Sequence, residues 1–290
     1  MALAKILLPM TAGADRTAGL NLALRAAEIT SGQVEVLCAT PDPLQLMRAS
    51  AGHDITQWTA DRLMQVQATA EQMRGRSREA FDDWRHRHHL DAKPHLDEDG
   101  WHPAVKWSET SGDLVALIAS LGRFNELIVL DGVLPADTSV AISALEAALF
   151  DAGRPTLIAP PTRFHRLDQC ALVAWDGSGE AQRAVSAALP ILARALKTVV
   201  LTVGAAEQAD PGVERALLDW LACHGIYPDR RFLPAPDGGA GPALLAEAAR
   251  LGADLIVMGA YSHSRLKESV FGGTTRHVLA HGAIPLLLAH

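Results

Sequence analysis

The chain has 290 residues, of which 49% are hydrophobic and 5% aromatic, and a formal charge of −7. That length suits two domains of about 145 residues each, and the composition is ample for packed cores. An acidic balance without a basic stripe excludes a nucleic-acid binder, and no segment approaches the roughly 18 apolar residues of a membrane span.

In chain order, an apolar strand at residues 5–9 leads into an amphipathic helix ending near Thr30, then a second strand at 34–39. A long helix from about residue 55 to 89 follows, with a polar connection rich in His, Asp and Pro behind it. The third strand (105–109), a third helix, the fourth strand (126–130), a fourth helix and a last strand (156–159) complete the first half. The short link Pro160-Pro161-Thr162-Arg163-Phe164-His165-Arg166 favours two domains packed tightly together. The second half repeats the order, with strands at 170–175, 198–203, 227–233, 254–258 and 286–289. Pro190 lies inside its first helix, which is expected to kink or restart there.

The halves align with each other. A shift of 165 residues places Ile6 on Ala171 and Val34 on Val199, and a shift of 130 places Leu117 on Glu247 and Pro155 on Pro285. The drop between the two shifts gives the first half about 35 extra residues, a unit duplicated rather than a solenoid. The expected fold is α/β, two doubly wound parallel-sheet domains in tandem. The expected boundaries are 1–162, with a helical insertion at about 41–103, and 167–290.

Cys38, Cys170 and Cys223 show no CxxC spacing, and no secretory leader pattern opens the sequence, so the expected location is cytoplasmic. His86, His88, His89, His95 and His102 cluster in the insertion, but no zinc spacing joins them, and a solvated helix end followed by a loop is the simpler reading. Trp58, Trp84, Trp101 and Trp107 lie in or beside the same insertion and suit an interface, a lid or the core of a longer helix. No Walker A, Gly-x-Ser-x-Gly or His-Glu-x-x-His pattern appears, so no dedicated enzyme activity is expected, although slow hydrolysis of a bound nucleotide stays compatible with the sequence.

The most informative stretch follows the buried run Leu255-Ile256-Val257-Met258. A strand ending at Gly259, a polar loop containing Ser262 and His263, and a helix start at Gly272-Gly273-Thr274-Thr275 together make a phosphate cradle. Free backbone N–H groups and the positive end of the helix dipole favour an anion there. Ligands of doubly wound sheets bind beyond the carboxyl ends of the strands, which brings Asp176 and Val203 to the same crevice. Asp176 suits a ribose hydroxyl or an adenine amine and equally suits a helix cap; the Val203 backbone suits an adenine edge. His263 could meet a phosphate, cap a strand or face solvent.

The spacing Gly, two residues, Gly, nine residues, Gly, then a small or hydroxyl residue resembles the nucleotide loop of the universal stress protein family. Gly259 and Gly272 take the first and third glycine positions, Ser262 stands at the middle one, and Gly273 stands where Ser or Thr is usual. The resemblance implies the adenine-nucleotide α-hydrolase-like fold, with ATP and Mg²⁺ as ligand and a role as a stress-response regulator or interaction switch. It carries nucleotide contacts onto Asp176, Val203, Met258, Gly259, Gly272, Gly273 and Thr274, with Ser262, His263 and Thr275 in the same loop. The partners it implies are an adenine nucleotide, an unidentified protein and a second copy of the chain. The alternative is a nucleotide-free interaction protein whose pocket Ser262 and Trp175 have closed. The first half departs from the pattern: Thr11 replaces the aspartate, Asp131 follows the fourth strand, and Ile142-Ser143-Ala144 stands in place of the glycines.

Overall fold

Runs such as Ile6-Leu7-Leu8 and Leu255-Ile256-Val257-Met258 point apolar side chains to both faces of a strand, so they need cover on both sides. The computed structural model describes the chain except for residues 1–2, 12–16, 41–59, 91–92, 94, 98–99, 132–137, 161–163, 165, 205–210, 235, 237–238 and 261–272. The N-terminal half runs β1 (Lys5–Thr11), α1 (Thr17–Thr30), β2 (Gln33–Thr40), α2 (Ala60–Arg87), β3 (His95–Asp97), β4 (Gly100–His102), β5 (Val105–Ser111), α3 (Leu114–Leu121), β6 (Leu127–Leu130), α4 (Thr138–Glu146) and β7 (Thr156–Ile158). The C-terminal half runs β8 (Cys170–Ala174), α5 (Gly179–Leu192), β9 (Lys197–Val203), α6 (Pro211–Cys223), β10 (Asp229–Leu233), α7 (Ala240–Leu251), β11 (Leu255–Gly259), α8 (Gly273–His281) and β12 (Leu286–Ala289).

The expected parallel sheets are joined edge to edge into one sheet of ten strands, ordered β10-β9-β8-β11-β12-β7-β6-β1-β2-β5. Every pairing is parallel except the central one, where β12 meets β7 antiparallel through Leu286↔Ile158 and Leu288↔Thr156. Period-two alternation divides the core. Ile6, Leu8, Val36, Val173, Val200 and Val257 pack with α1, α2, α5 and α6. Leu7, Leu37, Ile128, Leu172, Leu201 and Met258 pack with α3, α4, α7 and α8. In each half the strand order reverses beside the first strand, which opens a crevice at the carboxyl ends of β8 and β11 and of β1 and β6.

Sheet register corrects the alignment of the halves. Ile6 pairs with Val34, whereas Ala171 pairs with Thr198, so the second strands correspond at a shift of 164. Cluster membership agrees: Val36 shares a layer with Val200, and Leu37 shares the other with Leu201. A slip of one residue would have placed them on opposite faces. The helices α1 and α5 have 14 residues each, as expected, but correspond at a shift of 162.

The long helix of the insertion is present at Ala60–Arg87. The polar connection after it contains the antiparallel pair β3–β4, three residues on each side, too short for alternation to be read from sequence. Trp84 is a core residue: it is buried, its ring lies near Phe81, and its indole N–H donates to Asn21 Oδ1 at 2.9 Å. Trp107 packs half-buried on Phe81, while Trp58 lies outside the described residues. Of the histidines, His86 Nδ1 lies 2.7 Å from the Asp82 carbonyl and His88 packs on Trp84. Among the described residues no group of three or more His, Cys, Asp or Glu could hold a metal ion, and no helix is long and apolar enough to cross a membrane. Pro190 is accommodated inside α5, which ends two residues later. Cys38 and Cys170 are buried as strand hydrophobes, and burial pushes the Cys38 thiol up to about 11, with Glu109 adding to the effect.

Candidate functional site

The crevice of the C-terminal half is framed by the chain beyond β8, β9 and β11 and by the start of α8. Beyond β8, the Trp175 N–H donates to the Leu201 carbonyl at 2.9 Å, and its side chain is 7% exposed within the core layer of α5 and α6. Trp175 therefore neither closes the crevice nor offers a ring for a base to stack on. Asp176 is exposed, and its Oδ1 accepts from Ser178 N at 2.9 Å and Ser178 Oγ at 2.5 Å. This Asx turn uses Gly177 at φ +78°. Ser178 is the N-cap of α5, its Oγ accepting from Ala181 N at 3.1 Å. The capping role therefore belongs to Ser178, and Asp176 holds the cap in place. Among the described residues, the other carboxylate oxygen of Asp176 has no partner.

Val203 ends β9 half-buried, pairing with Leu233, and the next amide, Gly204 N, donates to the Leu233 carbonyl at 3.0 Å. Met258 is buried against the α7 and α8 layer. Gly259 is a glycine for a reason local sequence does not show: a Cβ there would lie 2.5 Å from Ala181 N and 2.7 Å from the Glu180 carbonyl carbon. The missing side chain lets the first turn of α5 sit against the end of β11.

At the other wall, Gly273 opens α8, is exposed, and a Cβ on it would meet nothing within 4 Å among the described residues. Its φ is outside the left-handed region as well. Neither packing among the described residues nor backbone conformation requires glycine there, and the N–H groups that have no intrahelical acceptor begin at that residue. Thr274 is half-buried and Thr275 is 5% exposed, which turns the Thr275 side chain into the protein. Ser262, His263 and Gly272 lie outside the described residues. One anchor of this wall was missed by sequence reasoning: His290 Nδ1 lies 3.1 Å from the Ala260 carbonyl, and its ring packs edge-on against Phe150 of the other half.

The N-terminal crevice is built differently at corresponding positions. Leu130 pairs with Ile158 as Met258 pairs with Leu288, so Asp131 is the counterpart of Gly259. Asp131 Oδ1 accepts from Gly19 N at 2.6 Å, and Gly19 is the third residue of α1 as Ala181 is of α5. The amino end of α1 thus carries a carboxylate of its own chain. Ile142-Ser143-Ala144 lies inside α4, which begins at Thr138, so those residues do not open a helix as Gly273 does.

Residues 237–290 match the sequence model of the universal stress protein family. A universal stress protein structure from Archaeoglobus fulgidus DSM 4304 is 16% identical, with a TM-score of 0.69 over 99% of this chain and 96% of that one. A structure assigned to the universal stress proteins from Pseudomonas aeruginosa UCBPP-PA14 is 17% identical, with a TM-score of 0.61 over 99% of this chain and 93% of that one. No curated protein matches the chain. The chain shares the fold of these two universal stress protein structures along nearly its whole length, and residues 237–290 are similar in sequence to the universal stress protein family.

Proposed function

We propose that the C-terminal half binds an adenine nucleotide, ATP arriving with Mg²⁺ on its phosphates, and works as a stress-response switch rather than an enzyme. The reading divides the chain at 1–162, including the insertion at about 41–103, and 167–290, and gives the nucleotide to the second unit alone. Asp176 meets the ribose or the base, the Val203 and Met258 backbones meet the adenine edge, and Gly259, Ser262, His263, Gly272, Gly273, Thr274 and Thr275 form the phosphate wall. Thr275 contributes its backbone, since its side chain is buried. The observation that carries the reading is Gly273: a glycine at a helix start that no contact among the described residues requires. Such a position admits a phosphate close to the backbone. Against catalysis stands Ser178, whose hydroxyl is committed to the helix cap and to Asp176. Nucleotide would act by ordering one arrangement of the crevice wall and so biasing a surface for a partner protein or a second copy of the chain.

The test is calorimetric titration of ATP with Mg²⁺ into the protein and into Gly273→Val. Binding of one nucleotide per chain, weakened at least about tenfold in the variant, is expected. Absence of binding to the parent protein would overturn the reading and leave a nucleotide-free interaction protein.

A further inference from the structure

Away from the crevice, a cleft of about 580 Å³ opens where the end of α1 meets the linker between the halves and the turn after α5. Arg25, Glu28, Ser31, Arg166, Asp168 and Arg194 supply its polar lining. The volume is in the range of small-ligand sites.

The frame is rigid. Leu167 is fully buried, and the Asp168 and Gln169 carbonyls accept from Leu196 N and Lys197 N at 2.9 and 3.0 Å. The Asp254 carboxylate accepts from Gln169 N and Cys170 N, both at 2.9 Å. Arg194 sits on the turn that closes α5, where Ala195 N donates to the Ile191 carbonyl at 3.0 Å. Within the lining, Arg25 is paired with Glu28 at 2.7 Å. Arg166 and Arg194 face the same cleft and form no ion pair with the described residues. With Arg25 paired to Glu28, the guanidinium groups of Arg166 and Arg194 outnumber the remaining carboxylate, Asp168, which leaves the lining with a net positive charge.

Ser31 adds a separate observation. Gly32 N closes α1 by donating to the Ala27 carbonyl at 3.0 Å, which puts Ser31 in the left-handed region at φ 56°. Gly153, Gly225 and Gly252 take that conformation elsewhere, where it carries no steric penalty, and among the described residues His89, just after α2, is the other non-glycine that takes it. At the end of α1 a side chain is kept in spite of the penalty, and the residue lines the cleft.

We propose that this cleft is an anion site at the seam of the two halves, taking a small phosphate-bearing molecule. Arg166 and Arg194 hold its charged groups from two sides, the Ser31 hydroxyl donates to it, and Asp168 accepts from a hydroxyl or amine on its body. The site does not depend on the nucleotide reading.

Pyrophosphate is the probe, titrated calorimetrically into protein carrying Gly273→Val so that the start of α8 contributes nothing. The same titration is made with Arg166→Ala and Arg194→Ala combined, and with Ser31→Gly. One site per chain is expected, weakened at least about tenfold without the two arginines. Ser31→Gly is expected to raise Tm while weakening binding about threefold, and a weaker site in a more stable protein separates ligand contact from folding. No binding up to about 10 mM, or binding unchanged without both arginines, overturns the proposal. The arginines would then only complement the negative ends of α1 and α5.

Discussion

The two halves share a strand order and part company at one contact. Each has a helix following its first strand, and in each the amide of that helix's third residue needs an acceptor. In the N-terminal half the acceptor is Asp131, reaching from the end of β6 to Gly19 N. In the C-terminal half it is Ser178, one turn away in sequence, and the strand end carries Gly259 in place of the aspartate. The side-chain volume has been exchanged across the contact: aspartate against glycine in one half, glycine against alanine in the other. The consequence is chemical. A carboxylate fixed at the amino end of α1 occupies the spot an anion would seek and repels a phosphate nearby. The C-terminal crevice has its carboxylate elsewhere: Asp176 lies ahead of α5 and is bonded to the Ser178 cap. The strand end at Gly259 carries no charge, so the two crevices differ in where their negative charge is fixed.

The hardest way to break this comparison is at Gly259. Gly259→Ala places a Cβ at 2.5 Å from Ala181 N, a backbone atom that cannot step aside without moving α5. A loss of about 3 kcal/mol in chemical denaturation is expected, the upper part of the range for overpacking. A loss below about 0.5 kcal/mol would mean that β11 and α5 are not held together as described.

Asp131 offers the next largest effect. Asp131→Ala leaves Gly19 N without its acceptor, and about 2 kcal/mol should be lost, as for a hydrogen bond to a charged group. Asp131→Asn, which keeps an acceptor oxygen, should recover part of it. Neither variant should bind a nucleotide in the first half, because α4 starts at Thr138 and buries the positions that face the glycines in the other half inside a helix. A second nucleotide per chain in the Ala variant would show that Asp131 alone closes that crevice.

Much of this architecture was legible because each strand is covered on both faces and so appears as an uninterrupted apolar run such as Leu255-Ile256-Val257-Met258. The chain order of the strands and the extra length of the first half followed from those runs. The register between halves did not, since the segment between β1 and α1 and the turn after α1 differ in length from their counterparts, and the two differences nearly cancel. The antiparallel joint of β7 and β12 has no local signature either, since its partners are far apart in sequence. At the site, the Asp-Gly-Ser turn and Gly273 at the start of α8 could be read locally. The meaning of Gly259 and Asp131 could not, because each acts on a helix distant in sequence; Asp131 and Gly19 are 112 residues apart. Trp175 misled for the same reason: a bulky residue beside a strand end reads as a pocket rim until the layer it packs into is known.

The smallest expected effect concerns position 247, where α7 carries a glutamate and α3 carries Leu117 at the corresponding place. Glu247 is 6% exposed, with Oε1 and Oε2 each 2.7 Å from Arg250 and Oε1 3.3 Å from Arg231. The hydrogen bonds from Arg250 hold its carboxyl below the ordinary 4.5 against the opposing cost of burial, and the charges of both arginines add to them. A carboxyl whose folded pKa is depressed contributes stability above its unfolded value and loses it as pH falls through the folded one. The arginines are well exposed, so the contribution is screened and should stay under about 1 kcal/mol. Glu247→Leu, which makes α7 resemble α3, should therefore change stability little at neutral pH and flatten its decline below about pH 4.5. Urea midpoints measured from about pH 6 to 3 read this slope directly. An unchanged slope would mean that the Arg231 and Arg250 cluster does not couple to folding, and that the acid sensitivity of the C-terminal half lies in other carboxylates.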